Sequence, residues 1–303
     1  MEGAMKPDSI INIALALALA PLLQGVISRV KAVFAGRIGQ PLLQLYFDLA
    51  RLSRKSAVYS TTTTWIFRAG PIVSLACTLS ALLVMPFAGI PSVMSFPADL
   101  ILLVYLFGLM RFFTVAAALD TGSAFEGMGA SREVLFSALA EPALLLSLLY
   151  VSRTTGRLSL SGMLAQASVV TPGLILVLAA LAIVYLCENA RIPFDDPNTH
   201  LELTMIHEVM VLDHSGPDLA FILYAASLKM WVLGAIIVGM SAPAIAGLPW
   251  WLGYLLYLAG MLVLAALVGV VESGMARLRL VRVPQLLVAA CTMAGLAFVL
   301  VLR

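Results

Sequence analysis

Eight runs of mostly apolar residues recur along this chain, at about 10–30, 71–88, 98–119, 134–151, 172–187, 218–240, 251–271 and 285–302. A helix of roughly 20 such residues matches the hydrocarbon thickness of a bilayer. In lipid a spanning segment must satisfy its own backbone hydrogen bonds, and a helix does so. The spacing therefore predicts an all-α, polytopic integral membrane protein with about eight transmembrane helices, a single transmembrane domain over 1–303. Composition supports this: 62% of residues are hydrophobic and 11% charged, with a mean hydropathy of +1.04, against about 25% charged in a soluble domain. Such a chain has too little polar surface to cover a soluble core.

The first run resembles a signal peptide, because Ala18-Leu19-Ala20 imitates a small-residue cleavage site. Pro21 follows at once, the apolar run continues and no basic cluster precedes it, so it reads as a retained helix. Neither an internal repeat nor a separable soluble domain is visible. A net charge of +2 gives no reason to expect nucleic acid. Cys77, Cys187 and Cys291 are scattered in apolar stretches without paired spacing, which suits packing rather than a disulfide or metal site.

Charge asymmetry sets the expected orientation. Arg29, Lys31, Arg37, Arg51, Arg54, Lys55, Arg68, Arg132, Arg191, Arg277, Arg279 and Arg282 fall on one side, and only Lys6, Arg153, Arg157 and Arg303 on the other. By the positive-inside rule the richer side is cytoplasmic and both termini face outward. Long cytoplasmic loops are expected at about 31–69, 119–133, 188–217 and 272–284. In the first, Leu42, Leu45, Tyr46 and Leu49 recur at helical spacing, as in a helix lying on the membrane surface. The second sets Asp120, Glu126, Arg132 and Glu133 among Gly122, Gly127 and Gly129, and that much glycine implies close backbone packing.

The third loop carries most information. Seven carboxylates (Glu188, Asp195, Asp196, Glu202, Glu208, Asp213 and Asp218) surround one Arg191, together with His200, His207 and His214. The histidines repeat every seven residues, and on a continuous helix neighbours would stand about 10.5 Å apart, too far to share an ion. His207-Glu208 also lacks the second histidine of an HExxH motif, which argues against metal and against a protease. A plain solvated loop is the alternative to a docking surface.

Charged residues within the apolar runs mark ion paths or interhelical pairs. Arg111 and Glu141 lie at similar depth on consecutive antiparallel helices, so they are expected to pair. Lys229 falls near the bilayer middle with no carboxylate nearby in sequence, and Glu188 and Glu272 sit at cytoplasmic helix ends. These groups, with Glu133, are the candidates for passing protons.

The third loop resembles that of the H-subunit family of respiratory complex I and its relatives, the membrane anchors of energy-converting nickel–iron hydrogenases such as formate hydrogenlyase. Glu188, Arg191, Pro193, Phe194, Asp195, Pro197, Glu202 and Leu203 match the family pattern, and Ser215-Gly216 closes the loop. The resemblance extends to Arg37, Gly39, Pro41, Gln44 and Asp48, and to 119–133 followed by Glu141-Pro142, which is similar to the hydrogenase branch. It implies a proton path through Glu141 and Glu188, and a peripheral-arm interface that includes Arg37, Asp48, Arg191, Asp195, Glu202, Glu208 and Asp213. It further implies antiporter-like membrane subunits, and cytoplasmic hydrogenase-like large and small subunits carrying iron–sulfur clusters and nickel–iron, within a bacterial or archaeal cytoplasmic membrane. No cofactor is expected in this chain, whose cysteines and histidines fit neither iron–sulfur nor haem ligation.

Departures from the pattern narrow the expectation. Asn198 and His200 replace two acids, 203–215 is about three residues longer, and Asp213-His214 stands where the family has Glu-Tyr. These changes favour a hydrogenase-like complex over the quinone-site subunit of a respiratory NADH dehydrogenase, which remains the alternative. A prenyltransferase would need a second aspartate-rich cluster beside Asp195-Asp196, and a transporter would show repeats.

Overall fold

The computed structural model describes residues 7–166, 171–195, 205–241 and 249–302. Ten helices are described: α1 Pro7–Phe34, α2 Gln44–Leu52, α3 Trp65–Val84, α4 Asp99–Asp120, α5 Ala124–Thr155, α6 Leu160–Gln166, α7 Pro172–Glu188, α8 Gly216–Ser241, α9 Trp250–Gly274 and α10 Val283–Leu302. Two 3-10 turns, Glu208–Val211 and Leu280–Arg282, complete the described regular structure, apart from a lone bridge between Phe87 and Ile90. Seven helices are long and apolar enough to cross a membrane. The eighth, α7, has 17 residues, about 26 Å, so its terminal Glu188 stays recessed inside the bundle.

Helix α8 is the central post, with 67% of its apolar window buried, against 22% for α4 and for α10. Around it the helices approach closely at small residues, as expected where lipid supplies no hydrophobic drive. A Cβ on Gly70 of α3 would lie 2.9 Å from Ala117 of α4, and one on Gly269 of α9 would lie 2.8 Å from Val30 of α1. Asp120, at the end of α4, accepts hydrogen bonds from the Thr64 and Phe67 backbone N–H groups at 2.6 and 3.3 Å, capping the start of α3.

Pro21 shapes α1 in a way that composition does not reveal. Lacking an N–H, it leaves the Leu17 carbonyl without its helical donor, and the Tyr224 hydroxyl of α8 donates to that oxygen at 2.9 Å. The neighbouring Ala18 carbonyl accepts from the Tyr46 hydroxyl of α2. Leu42 reaches the α1 backbone at Gly25, where no side chain intervenes. Thus α2, the expected amphipathic helix, lies back along α1 and inserts Leu45 into the fold.

One expected loop is mostly helix. Residues 124–133 form the first turns of the 32-residue α5, so the second connection shrinks to 121–123. Glycine and charge suggested a loop there, but Gly129 serves close packing instead: a Cβ on it would lie 2.9 Å from the Ile206 carbonyl and 3.0 Å from Met210. The neighbour implied by the glycines is the chain's own third loop.

Candidate functional site

Arg111 lies twelve positions after the first residue of α4 and nine before the last, about 18 and 14 Å from the two ends. The cost of burying a guanidinium there is offset only by anionic partners, and three converge on it. Nε lies 3.2 Å from Glu133, Nη2 lies 2.6 Å from Glu188, and Nη1 pairs with Glu141. The expected Arg111–Glu141 pair is present, but it is one arm of a cluster joining α4, α5 and α7. Lys229, which has no carboxylate nearby in sequence, extends the cluster from α8, its Nζ lying 3.4 Å from Glu188.

From Glu133 the network leaves the helices. His207 Nε2 lies 3.2 Å from Glu133 and Nδ1 lies 3.9 Å from Asp195. Asp195 also accepts from the Ile206 and His207 backbone N–H groups at 3.0 and 3.1 Å, and from Arg277 at 3.2 Å. Burial pushes the Asp195 carboxyl up, but hydrogen bonding and the charge of His207 outweigh it and hold the group below the usual carboxylate range. For His207 burial favours the neutral form and so does Lys229, yet Glu133 and Asp195 prevail and raise its pKa. His214 goes elsewhere: it stacks on Phe67 at 3.9 Å between ring centroids, and burial lowers its pKa despite Asp218 and Asp213. The histidines therefore serve separate neighbourhoods rather than one stripe, and His200 lies outside the described residues.

The basic face is woven together around the third loop. Arg132 donates to the Met205 carbonyl at 2.9 Å, Glu126 accepts from the Asp213 N–H at 3.2 Å, Ser215 accepts from the Val58 N–H at 3.0 Å, and the Leu278 N–H donates to Pro193 at 3.0 Å. Gly216, at φ +57°, packs against the Ser56 carbonyl, where a Cβ would come within 2.7 Å. Between this lattice and the helices lies a cavity of about 190 Å³. Its charged lining includes Arg111, Glu133, Glu188, Arg191, Asp195, His207 and Lys229, while Phe107, Met110, Met210, Ile222, Leu223 and Met230 supply apolar wall.

The remaining candidates divide by burial. Arg191 is buried and pairs with Glu272 at 3.5 Å, and Glu272 also binds Lys31 of α1 at 2.7 Å. Asp195 is likewise buried, so both Arg191 and Asp195 are engaged within this chain. Arg37, Glu208 and Asp213 are exposed on the basic face, and Asp48 is half-buried, accepting from Gln44 at 3.1 Å. Glu202 lies outside the described residues. Sequence reasoning missed Lys31, Arg277 and the bridging role of His207. Each is tied to a carboxylate far away in the chain, and no local spacing signals such a contact.

The chain is 32% identical to formate hydrogenlyase subunit 4 of Escherichia coli over 302 residues, covering 93% of this chain and 94% of the relative. It is 32% identical to hydrogenase-4 component C of the same organism over 247 residues, 80% of this chain and 77% of the relative. Among solved structures it resembles a chain of the membrane-bound sulfane sulfur reductase, an archaeal respiratory membrane complex, with a TM-score of 0.81 at 20% identity over 97% of this chain and 98% of that one. That similarity establishes the shared fold. The model of the NADH dehydrogenase family matches residues 8–303, nearly the whole length, and the chain belongs to that family.

Proposed function

We propose that this chain is the membrane-anchoring, proton-pathway subunit of a multi-subunit, hydrogenase-type redox complex related to complex I, coupling electron transfer on its basic face to proton translocation. One observation carries the reading: the buried Arg111 is shared by Glu133, Glu141 and Glu188, and Glu133 continues through His207 to Asp195 at the basic face. Titratable groups in charge contact, the longest step being the 3.9 Å between His207 and Asp195, on a line from mid-membrane towards the basic face, suit proton movement driven by charge changes at that face. The basic face would be cytoplasmic, with both termini outside. There Arg37, Asp48, Glu208 and Asp213 would meet iron–sulfur and hydrogenase-like subunits, while Arg191, Asp195 and Glu202 would shape the floor beneath them. Antiporter-like subunits would flank the chain in the membrane.

The test is Glu141→Gln in the intact complex, with co-purifying subunits, acceptor reduction and proton uptake into vesicles measured together. Arg111 keeps Glu133 and Glu188, so the change strands no cation. Assembly and electron transfer should persist while redox-driven proton uptake is lost, because an amide cannot ionise. A fully coupled Glu141→Gln complex would exclude Glu141 from the path. The 190 Å³ cavity, apolar along much of its wall, favours one second reading, a quinone-site subunit; co-purified quinone and sensitivity to quinone-site inhibitors would distinguish it.

A further inference from the structure

The bundle surface carries a carboxylate where lipid chains would otherwise lie. The Glu141 side chain is 41% exposed although it pairs with Arg111, which is only 10% exposed. Beside it Tyr105 and Phe112 on α4 and Ala138 on α5 are exposed, so its exposed part opens onto the outer face of these two helices. By the depth of its partner Arg111, it sits near the middle of the hydrocarbon. The groove holding it is floored by small residues: a Cβ on Gly108 would be 3.8 Å from Glu141 Oε1, and Ala138 is exposed one turn away on α5. Tyr105 and Phe112, 73% and 64% exposed, stand along its α4 side.

A second acceptor lies about one turn away, at the exposed residue Ala138. Pro142 has no N–H, so the carbonyl of Ala138 lacks the donor that a regular helix provides. Glu141, with this carbonyl about one turn away, thus stands at a depth where hydrocarbon supplies no donor at all.

We propose that this α4–α5 groove is the docking face for a transmembrane helix of a partner subunit that presents a hydrogen-bond donor at the depth of Glu141. The proposal rests on the membrane-subunit reading above and identifies the partner of that same site. A second copy of this chain does not fit, since a two-fold contact here would set one Glu141 against the other. The donor is a lysine, arginine, histidine, hydroxyl or amide, and the small residues of the groove let its helix approach closely.

The experiment places a photoreactive benzophenone amino acid at Tyr105 or at Ala138 of the full complex in native membranes, and identifies the crosslinked peptide by mass spectrometry. A different polytopic subunit, crosslinked within one turn of a donor side chain in its membrane span, is the expected result. Adducts to phospholipid alone, to a second copy of this chain, or to a helix without a donor would overturn the proposal. Independently, Ala138→Trp fills the groove from an exposed position and should remove that subunit from the purified complex while the chain remains inserted. Retention of the subunit would also overturn it. Crosslinking is read without turnover, so a failed docking proposal and a failed coupling assignment give different results: the first loses the crosslink, the second keeps it in an uncoupled complex.

Discussion

Removing the central cation tests the site most severely. In Arg111→Met three carboxylates lose a partner, but not equally. Glu188 keeps Lys229 at 3.4 Å and Glu133 keeps His207 at 3.2 Å, whereas among the described residues Arg111 is the one ion-pair partner of Glu141. Breaking a buried pair costs about 3–5 kcal/mol when the remaining charge is left uncompensated. We expect Arg111→Met to lose about 4 kcal/mol, seen as a lower unfolding midpoint of the detergent-solubilised protein and a reduced yield of assembled complex. Adding Glu141→Gln should recover most of that loss by removing the stranded charge. Adding Glu188→Gln should recover little, because it removes the carboxylate beside Lys229 and leaves the Glu141 charge in place. Equal rescue by the two glutamines, or an Arg111→Met protein as stable as the parent, would refute the argument that Arg111 is the shared counter-ion.

Three further outcomes follow from the geometry. Gly129→Val should push the 3-10 turn away from α5, because even a Cβ would meet the Ile206 carbonyl at 2.9 Å; about 1–3 kcal/mol of overpacking should appear as faster proteolysis of the third loop, and unchanged proteolysis would mean the turn is not docked there. Because the folded pKa of His207 is raised, its charged form stabilises the loop fully below the unfolded value of about 6.5, and that contribution is lost as pH rises through the folded value. Hydrogen exchange at 205–211 should therefore quicken above neutral pH, and His207→Gln should flatten the profile; equal pH dependence in both proteins would count against the His207 bridge to Glu133 and Asp195. Finally, Ile38→Cys, at a position 98% exposed on the basic face, should resist an impermeant thiol reagent in intact cells and react in inverted vesicles, and the opposite pattern would reverse the assigned orientation.

Local features were legible in the sequence. Transfer of an apolar run into lipid depends on that run alone, so hydropathy located the spans, and helical spacing located α2. Depth along two consecutive antiparallel helices follows from rise per residue, which made the Arg111–Glu141 pair readable from residue positions alone. The start of α5 was not readable, because Gly122, Gly127, Gly129 and four charged residues carry a loop signature. The helix over 124–133 follows from contacts with distant segments, as when Gly129 admits the third loop and Glu133 meets Arg111.

Which carboxylate meets which cation was decided by tertiary structure alone. A buried charge in the sequence announces that it needs a partner, but the identity of that partner depends on how helices cross. Lys229 finds Glu188, Lys31 finds Glu272 and Arg277 finds Asp195 across separations of 41, 241 and 82 residues, and no periodicity encodes those contacts. The same crossing determines burial: Arg191 and Asp195 read as loop charges, yet they lie inside because α7 ends short of the basic face and the chain after it turns back among the helices. Glu141 is the reverse case, since its place in an apolar run was evident from the sequence, whereas its exposure on the outer face became visible only once α4 and α5 were packed.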